Sequence, residues 1–193
     1  TPYGVQLLLD GVPINALSLD TLRRELGVVP QETILFSDTI RSNLAYGLPG
    51  EGDVTWAADV AQLTSTIRDF PGGFDTVLGE RGINLSGGQK QRAALARALA
   101  RRPSIVILDD ALSAVDTHTE AAILHGLRDA LSGRTAIIAS HRTSAIRDAD
   151  HIIVLDGGRV VEEGVHDTLI AARGRYWELL ARQQIEESVE AAD

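Results

Sequence analysis

Two adjacent aspartates, Asp109 and Asp110, end the run IVILDD, whose first four residues are apolar enough to form a buried strand. A carboxylate that is removed from water costs free energy unless it is paired or coordinates a cation. Two carboxylates side by side at a strand end therefore predict a cation site or a reaction at this position.

The segment LSGGQKQR combines a helix start with two glycines. Ser86 is placed as the N-cap residue and Gln89 as its capping-box partner, which alone indicates only a helix N-terminus. Gly87 and Gly88 are poor helix formers that leave bare backbone amides at the positive end of the helix dipole. Together these features favour phosphate binding at the start of this helix.

Strands and helices alternate after Pro103, which stops the helix of the LSGGQKQR segment. The later segments are a strand (SIVIL), a helix (THTEAAILHGLRDAL) opened by a capping box of Thr117 and Glu120, a strand (RTAIIAS), a short helix, a hairpin (IIVLDGGRVVEEG) and a final helix (GRYWELLARQQIEE). The earlier ones are a strand with an Asp-Gly turn (VQLLLDGVPI), a helix (LDTLRREL), a short strand (GVVPQ) and a mostly helical stretch over 39–102 that includes VTWAADVAQLTSTI. The order predicts an α/β fold with a mostly parallel sheet.

Three polar sites follow predicted strands of this sheet: Gln31, the Asp109-Asp110 pair, and His141 after the strand AIIAS. Ligands of open parallel sheets bind beyond the carboxyl ends of the strands. Any one of these residues alone would indicate only ordinary loop chemistry. Their common position predicts one functional site.

Composition limits the classes of protein. The chain has 193 residues, 44% of them hydrophobic, which suits one domain or two packed lobes, and its formal net charge of -9 disfavours a nucleic-acid partner. No apolar run reaches the ~20 residues of a membrane-spanning helix. Cysteine is missing, which excludes a disulfide framework and a thiolate metal site. Methionine is missing too, so we expect Thr1 not to be a natural translation start and the sequence to be part of a longer polypeptide.

The ordered motifs of this chain resemble those of the ATP-binding-cassette (ABC) ATPases. LSGGQ matches the family signature, VVPQ resembles the Q-loop, TVLGERG the segment before the signature, IVILDD the Walker B strand, SAVD the D-loop and ASHR the switch-histidine loop. The match runs from about Val5 to Tyr176. It implies a P-loop NTPase-like α/β fold with an inserted α-helical subdomain that carries LSGGQ.

The resemblance also implies a division of the chain. Residues 1–31 and 103–185 would form the core α/β lobe, about 32–102 the helical subdomain, and 186–193 a polar tail. The family's Walker A motif, G-x-x-x-x-G-K-[ST], does not occur, because Lys90 is the only lysine and Gln91 follows it. We therefore expect this motif upstream, and we expect the 193 residues alone not to hydrolyse ATP.

For the chain's own nucleotide site, the resemblance implies ATP and Mg²⁺ as ligands. Asp109, at the Walker B position, would hold magnesium, and Gln31 would reach the same metal and link it to a membrane domain. Hard oxygen ligands suit this ion. His141 would contact the γ-phosphate of ATP.

The resemblance places other residues at a second site. Ser86, Gly87, Gly88 and Gln89 would cap the phosphates of ATP bound to a partner cassette, because two cassettes of this family enclose two nucleotides head to tail. Asp116 of the D-loop would lie at the same interface. The implied partners are a second nucleotide-binding domain and a transmembrane domain.

Asp110 departs from the family, which usually has glutamate directly after the Walker B aspartate. In the family, that glutamate orients the attacking water. A misplacement of this water by ~1 Å can cost ~100-fold in rate. An impaired site together with an intact LSGGQ resembles one subunit of a heterodimeric exporter, so the expected partner is a different chain. The alternatives are an aspartate that works in a homodimer and a silent module that closes on ATP without hydrolysis. Chromosome-maintenance ATPases are disfavoured, because no long coiled-coil insertion is present.

The stretch SLDTLRRELGVVPQETILFSDTIRSNLAYG resembles exporters that fuse membrane and ATPase domains. Phe36, Ile40 and Leu44 suit either an ordinary apolar helix face or a socket for the coupling helix of a membrane domain. The resemblance implies a transport-coupled ATPase on the cytoplasmic face of the inner membrane. The transported substrate is not encoded in these residues.

Overall fold

The structure is a computed structural model that describes residues 6–48, 50, 53–79 and 83–190, with side chains up to residue 185. The chain divides into two compact units, Thr1–Ile137 and Ile138–Asp193. Part of the predicted TVLGERG segment, residues 80–82, and Val5 at the start of the first predicted strand lie outside the described residues.

The described residues of the first unit form five strands and six α-helices. Its elements are β1 (Leu8–Leu9), β2 (Val12–Pro13), α1 (Leu19–Glu25), β3 (Leu26–Val29), α2 (Ile40–Leu44), α3 (Val54–Val60), α4 (Thr64–Arg68), α5 (Gly87–Ala100), β4 (Ile105–Asp109), α6 (Thr117–Ala130) and β5 (Thr135–Ala139). The sheet order is β3-β4-β5, and the boundary between the units falls within β5. As the sequence predicts, β3 and β4 are parallel and are joined through helices.

The core of this unit forms around α5, which packs against α2, α3 and β3. Leu95 and Leu99 on this helix are fully buried, and the small alanines between them permit close approach of the neighbouring elements. β3 lies so close to the end of α5 that a Cβ atom on Gly27 would be 2.7 Å from the Pro103 ring and 3.2 Å from the Ala98 carbonyl oxygen. Glycine at this position therefore allows the strand to reach its place beside β4.

The second unit is a hairpin with helices against it. Its elements after β5 are α7 (Thr143–Ile146), β6 (Ile152–Asp156), β7 (Arg159–Gly164), α8 (His166–Ala172) and α9 (Arg175–Glu190). Ile152, Val154, Leu169 and Tyr176 form its buried cluster. The Glu162 carboxylate accepts hydrogen bonds from the backbone N–H groups of residues 175 and 176, which ties β7 to the start of α9.

The structure differs from the predicted elements in four details. The predicted helix VTWAADVAQLTSTI is two helices, α3 and α4, because Gln62 between them has a left-handed backbone (φ 53°). The N-cap of α6 is Asp116, not Thr117, because the Asp116 carboxylate accepts from the Thr119 N–H at 2.9 Å. Helix α8 was not predicted, and α9 extends beyond GRYWELLARQQIEE to Glu190.

Candidate functional site

The register of β3 on β4 brings three predicted site residues to one edge of the sheet. Val29 at the end of β3 pairs with Leu108, so Gln31, two residues later, reaches the level of Asp109 and Asp110. Neighbouring strands lie ~4.8 Å apart. Gln31 and Asp109 are exposed and Asp110 is half-buried, so this edge presents an amide and two carboxylates within the first unit.

Asp110 has an unusual backbone conformation, with φ at 45° in the left-handed region. Aspartate is among the few non-glycine residues that are enriched there. Its carbonyl oxygen accepts a hydrogen bond from the Ser113 hydroxyl at 2.9 Å and one from the Ser113 N–H at 3.3 Å. The chain therefore turns sharply after β4 and enters a short loop, residues 110–116, that ends at the N-cap of α6.

The start of α5 has the capping box that the sequence predicts. The Ser86 hydroxyl accepts from the Gln89 N–H at 3.3 Å, and the Gln89 side-chain oxygen accepts from the Ser86 N–H at 2.9 Å. Because the Ser86 oxygen is the acceptor in the first bond, its own O–H hydrogen can be donated to another acceptor. Ser86 and Gly87 are exposed and Gly88 and Gln89 are half-buried, so the positive end of a 14-residue helix faces outward.

Asp116 has a structural role that the sequence assignment missed. Its hydrogen bond with the Thr119 backbone N–H opens α6 and lowers the pKa of the Asp116 carboxyl below its usual value. The side chain remains exposed beside the loop 110–116. A helix cap and an exposed carboxylate are compatible at this position, because a carboxylate accepts more than one hydrogen bond.

His141 lies in the second unit, two residues beyond the end of β5 and just before α7. Its side chain is exposed. The backbone on either side is held locally, since the Arg142 N–H donates to the Ser140 hydroxyl at 3.0 Å. The position after a strand agrees with the predicted element, and its assigned role stays a prediction.

The apolar residues after β3 separate into two groups. Ile40 and Leu44 are buried in the core, with 1% and 0% of their surface exposed, whereas Phe36 is 43% exposed. Phe36 stacks on Tyr46 with ring centroids 4.7 Å apart. Ile34 is 72% exposed and lines a neighbouring cleft of about 240 Å³ together with Tyr46.

Phe36 and Tyr46, together with the adjoining Ile34, form what we call the exposed aromatic patch. Arg97 of α5 contacts all three residues. Its guanidinium donates to the Ile34 carbonyl at 2.9 Å and lies 5.5 Å and 5.7 Å from the Phe36 and Tyr46 ring centroids. It also donates to the backbone and side-chain oxygens of Asn43 at 2.8 Å and 3.0 Å. Burial lowers the pKa of Arg97, but arginine stays charged at neutral pH.

The oxygen donors at the sheet edge fit magnesium in their chemistry. A carboxylate of Asp109 and an amide oxygen of Gln31 are hard ligands, and Mg²⁺ is commonly held by one or two carboxylates while waters and phosphates complete its shell. Among the described residues, no group of three or more His, Cys, Asp or Glu side chains forms a complete protein metal site. Asp109 and Gln31 therefore fit Mg²⁺ as two of its oxygen ligands. None of the described helices is long and apolar enough to cross a membrane.

The sequence missed the contacts that join these pieces. Gln91 and Ser113 connect α5 to the loop 110–116, and Asn43 with Arg97 connects α2 to the same helix. A signal existed for Gln91, because it occupies a core-facing position in a helix whose other core-facing residues are mainly alanine and leucine. A polar side chain buried there needs a partner.

Comparisons with known proteins agree on one family. A sequence profile described as "ABC transporter" matches residues 1–113. The chain is 47% identical over 186 residues to the ATP-dependent lipid A-core flippase of Syntrophus aciditrophicus (strain SB), covering 95% of this chain and 31% of that protein. It is 46% identical over 196 residues to the ATM1-type heavy metal exporter of Novosphingobium aromaticivorans, covering 100% of this chain and 32% of the relative.

A solved structure of a bacterial Atm1-family ABC exporter with ATP bound superposes with a TM-score of 0.88 at 45% identity, over 94% of this chain and 32% of that one. This similarity confirms the fold class that the sequence predicts, a P-loop NTPase-like α/β fold with a helical segment that carries SGGQ. The chain spans about a third of the length of these relatives.

Proposed function

This chain belongs to the ABC transporter family, and we propose that it is the ATP-binding and ATP-hydrolysing domain of an exporter that couples ATP to substrate efflux across a membrane. The relatives support export, because they include a flippase and a heavy metal exporter. The domain would lie on the cytoplasmic face of the membrane. The substrate would be selected by a transmembrane domain.

The observation that carries this proposal is the register of β3 on β4, which brings Gln31 level with Asp109 and Asp110. In the proposed site, Asp109 and Gln31 would hold Mg²⁺, and Asp110 would orient the attacking water. The family resemblance assigns to His141, in the second unit, a contact with the γ-phosphate. When bound, magnesium neutralises charge on the phosphate oxygens.

Asp110 would impair hydrolysis at the chain's own site. Its carboxylate is one methylene shorter than the glutamate usual in the family, and phosphoryl transfer depends mainly on positioning. A displacement of ~1 Å can cost ~100-fold in rate. We therefore propose a site that binds ATP and hydrolyses it slowly. The 193 residues alone are proposed to be inactive, because they contain no G-x-x-x-x-G-K-[ST] segment.

The start of α5 would serve a second nucleotide. The Ser86 hydroxyl and the first backbone amides of the helix, at Gly87, Gly88 and Gln89, would cap the phosphates of ATP held by a partner cassette. Asp116 would lie at the same interface. Because the chain's own site is impaired while these capping groups are intact, we propose that the partner is a different subunit.

The exposed aromatic patch is the proposed contact with the transmembrane domain. Ile34 and Phe36 of this patch lie a few positions after Gln31, so a helix docked on them would act on the same segment that would reach the metal. Arg97 holds the patch through one hydrogen bond to the Ile34 carbonyl and through its contacts with the Phe36 and Tyr46 rings. Its two bonds to Asn43 fix the guanidinium in place.

A second candidate is a homodimer in which Asp110 is a working residue. It is favoured by the left-handed backbone of Asp110 (φ 45°), because an altered backbone direction can compensate for a shorter side chain. Aspartate tolerates this conformation better than glutamate does.

Two variants of the full-length gene product, purified with any subunit that accompanies it, distinguish these functions. If the partner's site does the hydrolysis, Ser86→Ala lowers ATP turnover at least about tenfold, whereas His141→Ala changes it less than about twofold. Ser18→Ala is the matched control, because Ser18 caps α1 in the same way, accepting from the Thr21 N–H at 3.1 Å. Equal losses from Ser86→Ala and His141→Ala would favour the homodimer. Absence of any turnover would overturn the hydrolytic function and leave a nucleotide-gated module.

A further inference from the structure

Gln91 is a buried amide in the apolar face of α5, with only 6% of its surface exposed. Both ends of this amide bind the loop 110–116. Its Nε2 donates to the Ser113 hydroxyl at 3.0 Å, and its Oε1 accepts from the Ala114 N–H at 2.9 Å. A buried amide without partners is costly, so these two bonds hold the loop and the helix in one arrangement.

The contact continues from Ser113 to Asp110. The Ser113 hydroxyl donates its single hydrogen to the Asp110 carbonyl oxygen at 2.9 Å, while its oxygen accepts from the Gln91 Nε2–H at 3.0 Å. Asp110 has a left-handed backbone, and such a conformation persists only where surrounding contacts fix it. The Gln91 amide is therefore part of what sets the direction of Asp110.

The same loop touches the first turn of α5. A Cβ atom on Gly88 would lie 2.6 Å from the Ala114 carbonyl oxygen, so the backbone of the helix start lies directly against the loop. Gln91 lies about one turn further along the helix and adds the side-chain contact. Backbone contact and amide bonds together join the segment 86–89 to the loop 110–116.

We propose that Gln91 is a positioning residue that joins the phosphate-capping segment 86–89 to the loop carrying Asp110 and Asp116. This inference rests on the proposed function, in which the segment 86–89 and Asp116 face the partner's nucleotide and Asp110 faces the chain's own. A displacement at one nucleotide is then transmitted to the residues that serve the other. A side chain that only fills the core would not need the two specific hydrogen bonds.

Three variants of the full-length gene product, purified with any subunit that accompanies it, test this role, with kcat and KM for ATP measured beside the melting temperature. Gln91→Met keeps the approximate volume and removes both hydrogen bonds. Leu99→Val is the matched control, because Leu99 is fully buried near the other end of the same helix. We expect Gln91→Met to lower kcat at least about tenfold with KM within about threefold, while Leu99→Val lowers the melting temperature at least as much and retains kcat.

Gln91→Glu gives a readout that packing alone would not change. A neutral carboxylic acid has a donor and an acceptor like the amide, whereas a carboxylate has no donor, and burial favours the neutral form. The activity of Gln91→Glu relative to the unmodified protein should therefore rise at least about threefold between about pH 8.5 and about pH 6. The charged residues nearby, Lys90, Arg92 and Asp110, are the same in both proteins, so their effect largely cancels in this ratio.

The proposal is overturned if Gln91→Met retains kcat, if Leu99→Val loses kcat to the same extent, or if the Gln91→Glu ratio does not change with pH. Failure of the unmodified assembly to hydrolyse ATP is a separate result. It would overturn the proposed hydrolytic function and this inference with it.

Discussion

Replacing Gly88 with alanine should displace the loop 110–116. The new methyl carbon would lie 2.6 Å from the Ala114 carbonyl oxygen and 3.3 Å from its carbonyl carbon. Ordinary carbon–oxygen contacts are about 3.3 Å or longer, so the helix and the loop must separate by roughly 0.7 Å. Both contacting atoms belong to the backbone, so a change of side-chain rotamer cannot relieve the clash.

Gly87→Ala provides a matched comparison in the same turn. Its Cβ atom would meet the Ala114 methyl group at 3.5 Å, which is an ordinary contact. Both substitutions gain helix propensity, up to ~1 kcal/mol each, so this gain largely cancels between them. Overpacking costs ~1–3 kcal/mol, and Gly88→Ala should therefore be less stable than Gly87→Ala by about this amount.

The assay is thermal or denaturant unfolding of the full-length gene product, together with ATP turnover of the purified assembly. A shift approaching ~1 Å in a loop that carries Asp110 and Asp116 should also lower turnover by ~10- to 100-fold. Equal stability of the two alanine variants would refute the close contact between the start of α5 and the loop.

Two further predictions concern other parts of the chain. Arg97→Lys should increase hydrogen exchange over residues 34–44, with the free energy of local opening lower by ~1–3 kcal/mol, because lysine cannot replace the forked bonds to Ile34 and Asn43. The control is Arg24→Lys at an exposed arginine. Unchanged exchange in Arg97→Lys would contradict the role of the forked bonds. Burial raises the pKa of Tyr176 above its usual value, so its contribution to stability is present below about pH 10 and is lost as the pH rises further. Tyr176→Phe should therefore melt with a flatter pH dependence above about pH 10, and an unchanged slope would argue against that contribution.

The sequence was sufficient to predict the elements that position the site. Hydrophobic strands that end in polar residues predicted the parallel pair of β3 and β4, and the S-x-x-Q spacing predicted the capping box of α5. These signals are local, because a strand period or a cap involves residues that are neighbours in the chain. The roles of the site residues came from resemblance to a family and stay predictions.

The contacts between elements could not be predicted from local pattern. The Thr117–Glu120 spacing suggested a capping box, but Asp116 one residue earlier was the better cap because its carboxylate reaches the Thr119 N–H. The bonds from Gln91 to Ser113 and Ala114 connect residues more than 20 positions apart and depend on tertiary packing. The left-handed backbone of Asp110 was likewise hidden, because aspartate also adopts ordinary conformations.

The most direct test of the account is steady-state ATP hydrolysis by the full-length gene product purified without any other subunit. Three forms are compared: the natural sequence, Asp110→Glu and Asp110→Asn. Asparagine tolerates the left-handed backbone as aspartate does, but its amide cannot accept a proton. The account predicts a nearly inactive natural form, a rate at least about tenfold higher with glutamate, equivalent to ~1.4 kcal/mol of barrier, and no gain with asparagine. A natural form that already turns over ATP, with no gain from glutamate, would contradict the impaired site and support a working Asp110 in a homodimer.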